Sequence, residues 1–305
     1  MKKILLFFWN LFINLKNKIS ENLLLMKDRI YVLFNKAPVI MTSEETVKYI
    51  LENNCSVTRY GDGEIKLITG MDILFQESTE KISQQLKEAL NCDDENILVC
   101  LPAVFSDEQC AVLNEETCNY WKKHLSRYRK RWYKELEPGK VYGNAFISRH
   151  YMNLKDKGTG CAEYFELVKK IWEGKDIIIV EGEKSRIGMG NDLFDGAESV
   201  RRILAPSSQC FSKYDEIIKE IESHEKTALY ILALGPAASA MAYDLAKKGF
   251  RAIDMGNIDT EYEWFLAGAT DKQPVKNKLV YEAMRGTVGE ADDPKYLSQI
   301  IARIL

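Results

Sequence analysis

The chain has 305 residues, of which 46% are hydrophobic and 29% charged, with a formal net charge of −3 and a pI near 5.8. This composition excludes a disordered or collagen-like chain, and the acidic balance argues against a partner that is nucleic acid. The seven cysteines are scattered without a C-x-x-C pair, which predicts reduced thiols in a cytoplasmic protein.

The first 36 residues predict a basic amphipathic helix. They carry seven Lys or Arg against Glu21 and Asp28, a net charge of +5. Apolar residues recur at steps of three and four, in one stripe along the helix: Leu5, Phe8, Phe12, Leu15, Ile19, Leu23, Met26, Ile30 and Leu33. Asn10 and Asn14 break the apolar run, so neither a signal peptide nor a membrane span is expected. Two interpretations stay open for residues 1–36: peripheral contact with the inner face of the cell membrane, or packing on the domain or on a second subunit of a homo-oligomer.

An α/β domain is predicted for residues 39–305, with residues 1–38 as a separate helical segment. Thr42 and Glu45 form a capping box that predicts a helix reaching about Asn54. Strands are predicted at 56–59, 97–101, 141–147, 176–180, 202–204, 228–234 and 251–254. The continuous apolar runs DIIIV and LYILAL are typical of interior parallel strands. The expected fold is Rossmann-like, a mostly parallel sheet with helices on both faces.

The loop RYGDGE, residues 59–64, follows the first of these strands and sets Asp62 and Glu64 among glycines. In a glycine turn both carboxylates can converge on one point. Mg²⁺ and Mn²⁺ take carboxylate oxygens and complete their shell with substrate phosphates. The loop therefore predicts a Mn²⁺ or Mg²⁺ site, and the alternative is a plain turn in which Asp62 caps the next helix.

A second loop, EGEKSRIGMGND, follows the strand predicted at 176–180. Its glycines expose backbone N–H groups, Arg186 could clamp a phosphate, and a helix starting near Asn191 or Asp192 would turn its positive end to an anion. This pattern indicates phosphate binding.

A third segment, LALGPAASAMAYDLAKKGFRAID, has the layout of one Rossmann-like unit, with a turn at Gly235 and a strand that ends at Asp254. The second and third glycines of the dinucleotide fingerprint are missing. The helix N-terminus with Ser239 still suits a phosphate or ribose. A methyltransferase or dehydrogenase that uses residues 235–254 is therefore the alternative function.

Four blocks together, RYGDGE, EGEKSRIGMGNDLF, LALGPAASAMAYDLAKKGFRAIDMGNIDTEYEWFL and KLVYEAMRG, resemble the bacterial glycosyltransferases of the GT-D fold over roughly residues 42 to 290. The resemblance implies a metal-dependent enzyme that moves a hexose, commonly glucose, from a UDP-sugar to a glycan or glycoprotein acceptor. The implied setting is surface glycoprotein or polysaccharide biosynthesis. The D-x-E motif of the family corresponds to Asp62 and Glu64, which would hold the metal.

The resemblance and the three loops together define an expected site. Its nucleotide-sugar-binding residues are Arg59, Gly61, Ser185, Arg186, Gly188, Gly190, Asn191, Asp192, Gly235, Ser239 and Asp254. The general base implied by the family is Glu282 of KLVYEAMRG, and Glu261 and Glu263 are the alternatives. Asn257 stands where many relatives carry histidine, which implies a difference in substrate choice.

Overall fold

A nine-stranded parallel sheet forms the centre of the protein in the residues that the structure, a computed structural model, describes: 2–158, 160–283 and 288–305. In chain order the strands are β1 (Val39–Ile40), β2 (Ser56–Arg59), β3 (Ile97–Leu101), β4 (Val141–Asn144), β5 (Asp176–Gly182), β6 (Ser199–Ala205), β7 (Leu229–Ala233), β8 (Arg251–Asp254) and β9 (Ile300–Arg303). Across the sheet they run β1-β4-β3-β2-β8-β7-β5-β6-β9, and every neighbouring pair is parallel. The predicted α/β fold is confirmed.

Helices cover both faces of this sheet, as predicted. They are α1 (Lys2–Phe34), α2 (Ser43–Asn53), α3 (Asp62–Ile68), α4 (Glu80–Leu90), α5 (Asp107–Cys110), α6 (Glu115–Glu135), α7 (Cys161–Lys169), α8 (Tyr214–Glu222), α9 (Pro236–Lys247), α10 (Ile258–Leu266) and α11 (Pro294–Ser298). Ile178 and Val180 of β5 join the core with α4, α6, α8 and α9, whereas Ile177 and Ile179 join the core with α2, α7 and α10. The strands are therefore buried on both sides, which explains their continuous apolar runs.

The predicted strands agree with the observed ones to within a few residues. β2, β3 and β8 have the predicted bounds, and α2 begins with the predicted capping box, in which Glu45 N donates to Thr42 Oγ1 (3.1 Å). The strand predicted at 141–147 ends at Asn144, because Asn144 Oδ1 accepts a hydrogen bond from Phe146 N and starts a 3-10 turn. The edge strands β1 and β9 were not predicted, since they are short and partly exposed and so lack a buried apolar run.

A side-chain bridge between Arg59 and Asp254 helps to join the two halves of the sheet. β2 and β8 share a single registered pair, Val57 with Ile253. Just beyond it Arg59 donates from Nε to the Asp254 carbonyl oxygen and from Nη2 to Asp254 Oδ1, both at 2.8 Å. A Cβ on Gly256 would lie 2.1 Å from Arg59 Nη2, so only glycine leaves room for the guanidinium. The bridge is largely buried, which makes it a structural element as well as part of the cavity described below.

His124 is buried in α6 as a neutral imidazole. Its Nε2 lies 3.1 Å from Trp132 Nε1, and its ring stacks on Tyr128. Because an indole N–H can only donate, His124 Nε2 must accept and carries no proton. Burial lowers the pKa of His124 from 6.5 to about 4.

The first prediction concerns the bridge. Arg59→Met should lower the free energy of unfolding by about 3–5 kcal/mol, because it leaves the buried Asp254 carboxylate without its cation. Urea unfolding monitored by circular dichroism measures the change. Lys81→Met is the matched control, since it removes an exposed pair with Asp215 and should cost under about 1 kcal/mol. A loss for Arg59→Met as small as that of the control would contradict the structural role.

The second prediction concerns His124. Its pKa is lower in the folded protein than in the unfolded chain, so the unfolded chain binds more protons between about pH 4 and 6.5. The contribution of His124 to the free energy of unfolding is therefore fully present above pH 6.5. It is lost as the pH falls toward 4, by up to about 3 kcal/mol. His124→Gln, which can still accept from Trp132, should flatten the dependence of the unfolding free energy on pH in this range. An equally steep dependence in the variant would show that His124 is not responsible.

Candidate active site

A cavity of about 460 Å³ opens at the carboxyl ends of β2, β7 and β8. This is the position at which open parallel sheets bind ligands, where neighbouring strands lead their connections in opposite directions. Its wall includes eight residues that the sequence predicted for the site: Arg59, Gly61, Asp62, Glu64, Ser185, Gly235, Asp254 and Glu282. The structure thus brings together residues from all three predicted loops and from the C-terminal block.

Asp62 and Glu64 lie in the first turn of α3 and not in an extended glycine turn. Glu64 Oε2 accepts a hydrogen bond from the backbone of Gly61, the residue before the helix, at 2.6 Å. Asp62 Oδ2 accepts from Lys66 Nζ at 2.5 Å and from Tyr120 Oη at 2.6 Å. The alternative in which Asp62 caps the helix is therefore wrong, because Glu64 caps it. Asp62 Oδ1 and Glu64 Oε1 are left without a hydrogen-bond partner in any other described residue.

The two carboxylates differ in electrostatics. Burial raises the pKa of Glu64 to about 7, and the negative charges of Asp254 and Asp62 contribute in the same direction. Burial also acts to raise the pKa of Asp62, but the hydrogen bonds from Lys66 and Tyr120 outweigh it and hold the pKa below its usual value. Asp62 is therefore a permanent negative charge, whereas Glu64 changes its charge near neutral pH.

Glu282 faces the same cavity together with Arg149 and Asn257. Its Oε1 accepts from Arg149 Nη2 at 2.6 Å and from Asn257 Nδ2 at 2.9 Å. Burial would raise the pKa of Glu282, but the Arg149 guanidinium lowers it below the usual value. The side chain is therefore held ionised at the cavity wall. Residues 284–286 of the block KLVYEAMRG lie outside the described residues.

The two alternative glutamates do not line the cavity. Glu263 Oε1 accepts from Lys278 Nζ and from Asn191 Nδ2, both at 2.7 Å. Glu261 is buried, and its Oε2 accepts from the backbone N–H groups of Tyr151 and Met152. Both carboxylates are thus used to hold α10 against neighbouring segments.

The second predicted loop lines the cavity with Gly182, Ser185 and Ile187, of which only Ser185 was predicted for the site. No helix begins at Asn191 or Asp192, because residues 183–198 form successive turns between β5 and β6. Arg186 is buried and donates to the carbonyl oxygens of Asn277 and Gly289, so it is not free to clamp a phosphate.

The remaining residues of that loop are tied to α10 or to the surface. Gly188 N donates to Asp259 Oδ1, and Asn191 Nδ2 also donates to Asp259. Asp192 accepts from Tyr262 and Lys169. These residues and Gly190 lie off the wall of the cavity. Gly188 and Asn191 thus help to hold Asp259, whose charge pairs with Lys278 at 2.8 Å in a buried position.

The third segment supplies a helix end. Gly235 has a φ of +57°, and the 12-residue helix α9 starts at the next residue, Pro236, which also lines the cavity. Ser239 Oγ lies 2.5 Å from the Arg59 carbonyl oxygen and 3.2 Å from Asp254 Oδ2, behind the wall. Gly256 N donates to Asp254 Oδ1. Asp254 therefore lines the cavity, but both of its carboxylate oxygens already accept hydrogen bonds from other residues.

Several wall residues were not predicted. Tyr120 comes from α6, Arg149 follows β4, and Phe75 stacks on Tyr281 with ring centroids 4.8 Å apart. Phe75 also packs against the turn of α9, since a Cβ on Gly235 would lie 3.2 Å from its ring. These residues are separated by tens of positions along the chain, and no local pattern marks them.

Comparisons with known proteins agree with one another in the kind of relative that they find. A family model described as glycosyltransferase GT-D fold matches residues 57–283. A solved structure described as the domain of unknown function 1792, with a distinct glycosyltransferase fold, is 41% identical with a TM-score of 0.83, over 87% of this chain and 95% of that chain.

Two curated streptococcal proteins are each 39% identical to the chain. A probable glycosyl transferase, Gly, of Streptococcus gordonii matches over 267 residues, and the glycosyltransferase GlyD of Streptococcus pneumoniae serotype 4 matches over 264. These matches cover 87% and 86% of this chain but only 39% and 32% of the relatives, so the chain spans about a third of their length. With the family match over most of the chain and a solved relative of the same fold, the resemblance found in the sequence is confirmed and the chain belongs to the GT-D fold glycosyltransferase family.

Proposed function

We propose that the chain transfers a hexose from a UDP-sugar to a glycan or glycoprotein acceptor, with Mn²⁺ or Mg²⁺ at Asp62 and Glu64. The observation that carries the proposal is the presence of both D-x-E carboxylates and Glu282 on the wall of one cavity. A volume of about 460 Å³ lies in the range of pockets that bind small molecules.

The donor set at Asp62 and Glu64 fits a hard divalent cation. Each carboxylate has one oxygen that no other described residue binds, and Mg²⁺ sites commonly use one or two carboxylates together with substrate phosphates. No group of three His, Cys, Asp or Glu in residues 2–158, 160–283 and 288–305 could hold a metal alone. Diphosphate oxygens and water would therefore complete the shell. When bound, the ion would neutralise charge that develops on the leaving diphosphate.

The protein offers its own anion-binding groups at the same wall. The N-terminus of α9 faces the cavity at Gly235 and Pro236, and helix N-termini favour phosphates. This helix end suits the diphosphate of a nucleotide-sugar.

Glu282 is the base that we assign to the reaction. It is ionised, and it faces the space where an acceptor hydroxyl would be deprotonated. Arg149 and Asn257 fix its position from one side. Glu263 is less suited, because Lys278 and Asn191 engage it away from the cavity.

The alternative of a methyltransferase or dehydrogenase has less support. Such an enzyme would use the acidic residue at the end of β8 to bind a ribose hydroxyl. Asp254 holds Arg59 and Gly256 N instead, in the bridge between β2 and β8.

The third prediction tests the metal and donor site. Asp62→Asn combined with Glu64→Gln should weaken Mn²⁺-dependent binding of UDP-glucose by more than about a hundredfold, because even supporting residues of metal sites contribute 10- to 100-fold. Calorimetry with Mn²⁺ and then with EDTA measures the affinity. Asp215→Asn combined with Glu216→Gln is the matched control, since these acidic residues occupy the first turn of α8, far from the cavity wall. Unchanged metal-dependent binding in the site variant would rule out this metal site.

The fourth prediction separates the two candidate bases. Glu282→Gln keeps an acceptor for Arg149 but cannot take a proton, so turnover of UDP-glucose should fall by about 10²- to 10⁴-fold. Donor affinity should change by no more than a few-fold. Release of UDP in the presence of Mn²⁺ measures turnover, and Glu263→Gln is the comparison. A large loss of turnover with Glu263→Gln and none with Glu282→Gln would reverse the assignment.

A further inference from the structure

One face of α1 attaches the helix to the domain through α6. Glu21 pairs with Lys123 at 3.0 Å, and Asp28 pairs with Arg129 at 2.7 Å. Tyr31 packs on Tyr133 of α6 beside them. Glu21 and Asp28 are the only acidic residues of α1, so both of its negative charges are neutralised on the face toward the domain.

The apolar stripe found in the sequence lies on the other face. At about 100° per residue, its positions point roughly opposite to Glu21 and Asp28. Seven of its side chains are 49 to 78% exposed: Phe12, Leu15, Ile19, Leu23, Met26, Ile30 and Leu33. No described part of the chain covers this stripe.

Basic residues flank the stripe on both sides. Lys16 and Lys27 lie along one edge, and Lys18 and Arg29 lie along the other, all of them exposed. Long basic side chains at the edges of an apolar stripe can extend their charges toward phosphates while their stems stay on the apolar surface.

The neighbouring surface of α6 extends the positive charge. Besides Lys122 and Lys123, which pair with Asp107 and Glu21, its exposed bases are Arg127, Lys130, Arg131 and Lys134. Two helices that pack on each other therefore both carry exposed bases. A surface of opposite charge would be attracted to these bases over the distance that salt screening allows.

We propose that α1 binds the surface of a bilayer that contains anionic lipids. The apolar stripe enters the boundary between headgroups and acyl chains, and the flanking bases contact lipid phosphates. The domain lies on the opposite side of the helix, where the two ion pairs to α6 hold it. None of the described helices combines the length and apolar character needed to cross a bilayer.

A second copy of the chain fits the stripe less well than a lipid surface. Pairing two stripes would bring the bases of both copies together, and no acidic residue of α1 faces outward to compensate. An anionic bilayer satisfies the apolar stripe and the flanking charge at once.

The fifth prediction tests this surface in the full-length chain. The protein should co-sediment with vesicles of phosphatidylglycerol and phosphatidylcholine in equal parts, bind vesicles of phosphatidylcholine alone more weakly, and lose the difference as NaCl rises. Ile19→Glu combined with Met26→Glu should reduce the partition coefficient on the order of a hundredfold, because two apolar side chains no longer enter the interface.

The matched control is Asn14→Glu combined with Asn17→Glu. It introduces the same charge into the same exposed stretch, but on the polar side of α1, and should retain most of the binding. Wild-type protein that fails to bind the anionic vesicles, or a stripe variant that binds as well as this control, overturns the proposal. A dimer that Ile19→Glu/Met26→Glu dissociates, without vesicle binding, would instead identify the stripe as a contact between copies. Thermal unfolding of each variant confirms that the domain is folded, and calorimetry with UDP-glucose keeps this result separate from the proposed activity.

Discussion

The bridge between Arg59 and Asp254 is the interaction on which the site depends. The sheet consists of two parallel halves that meet at β2 and β8, where the backbone contributes only one registered pair. The guanidinium and the carboxylate complete this junction just where both strands end. The chain continues from Arg59 directly into the D-x-E motif. From Asp254 it continues through Gly256 to Asn257, which donates a hydrogen bond to Glu282. The same bridge therefore closes the sheet and sets the distance between the two sides of the cavity.

The wall of the cavity is a set of paired charges in a partly buried environment. Asp62 with Lys66 and Glu282 with Arg149 each remain ionised because a cation compensates the carboxylate. Glu64 has no such cation, and burial therefore raises its pKa to about 7. A cation that arrives with the donor would supply what Glu64 lacks, since a nearby positive charge favours the ionised carboxylate. Glu64 is thus the carboxylate of this group that would gain most from an added positive charge.

The sequence allowed prediction of the features that depend on local pattern. Buried strands such as β5 and β7 were predicted because both of their faces are apolar. The D-x-E segment was recognised because its two carboxylates lie only two positions apart in the sequence. Arg186 was misread because a basic residue in a glycine-rich stretch resembles a phosphate site, although its partners Asn277 and Gly289 lie about 90 to 100 residues away. Tyr120 and Arg149 were missed for the same reason, since only the fold brings them to Asp62 and Glu282.

The apolar periodicity of α1 also shows a limit of prediction from sequence. The stripe predicts a buried face, but it does not say what buries it, and the domain packs on the side that carries Glu21 and Asp28. The ion pairs and the packing of Tyr31 on Tyr133 attach this side of α1, which leaves the stripe exposed. The same helix α6 contributes Tyr120 to the cavity and, one turn later, Lys123 to α1. A surface bound by the stripe would therefore be linked to the cavity through α1 and α6.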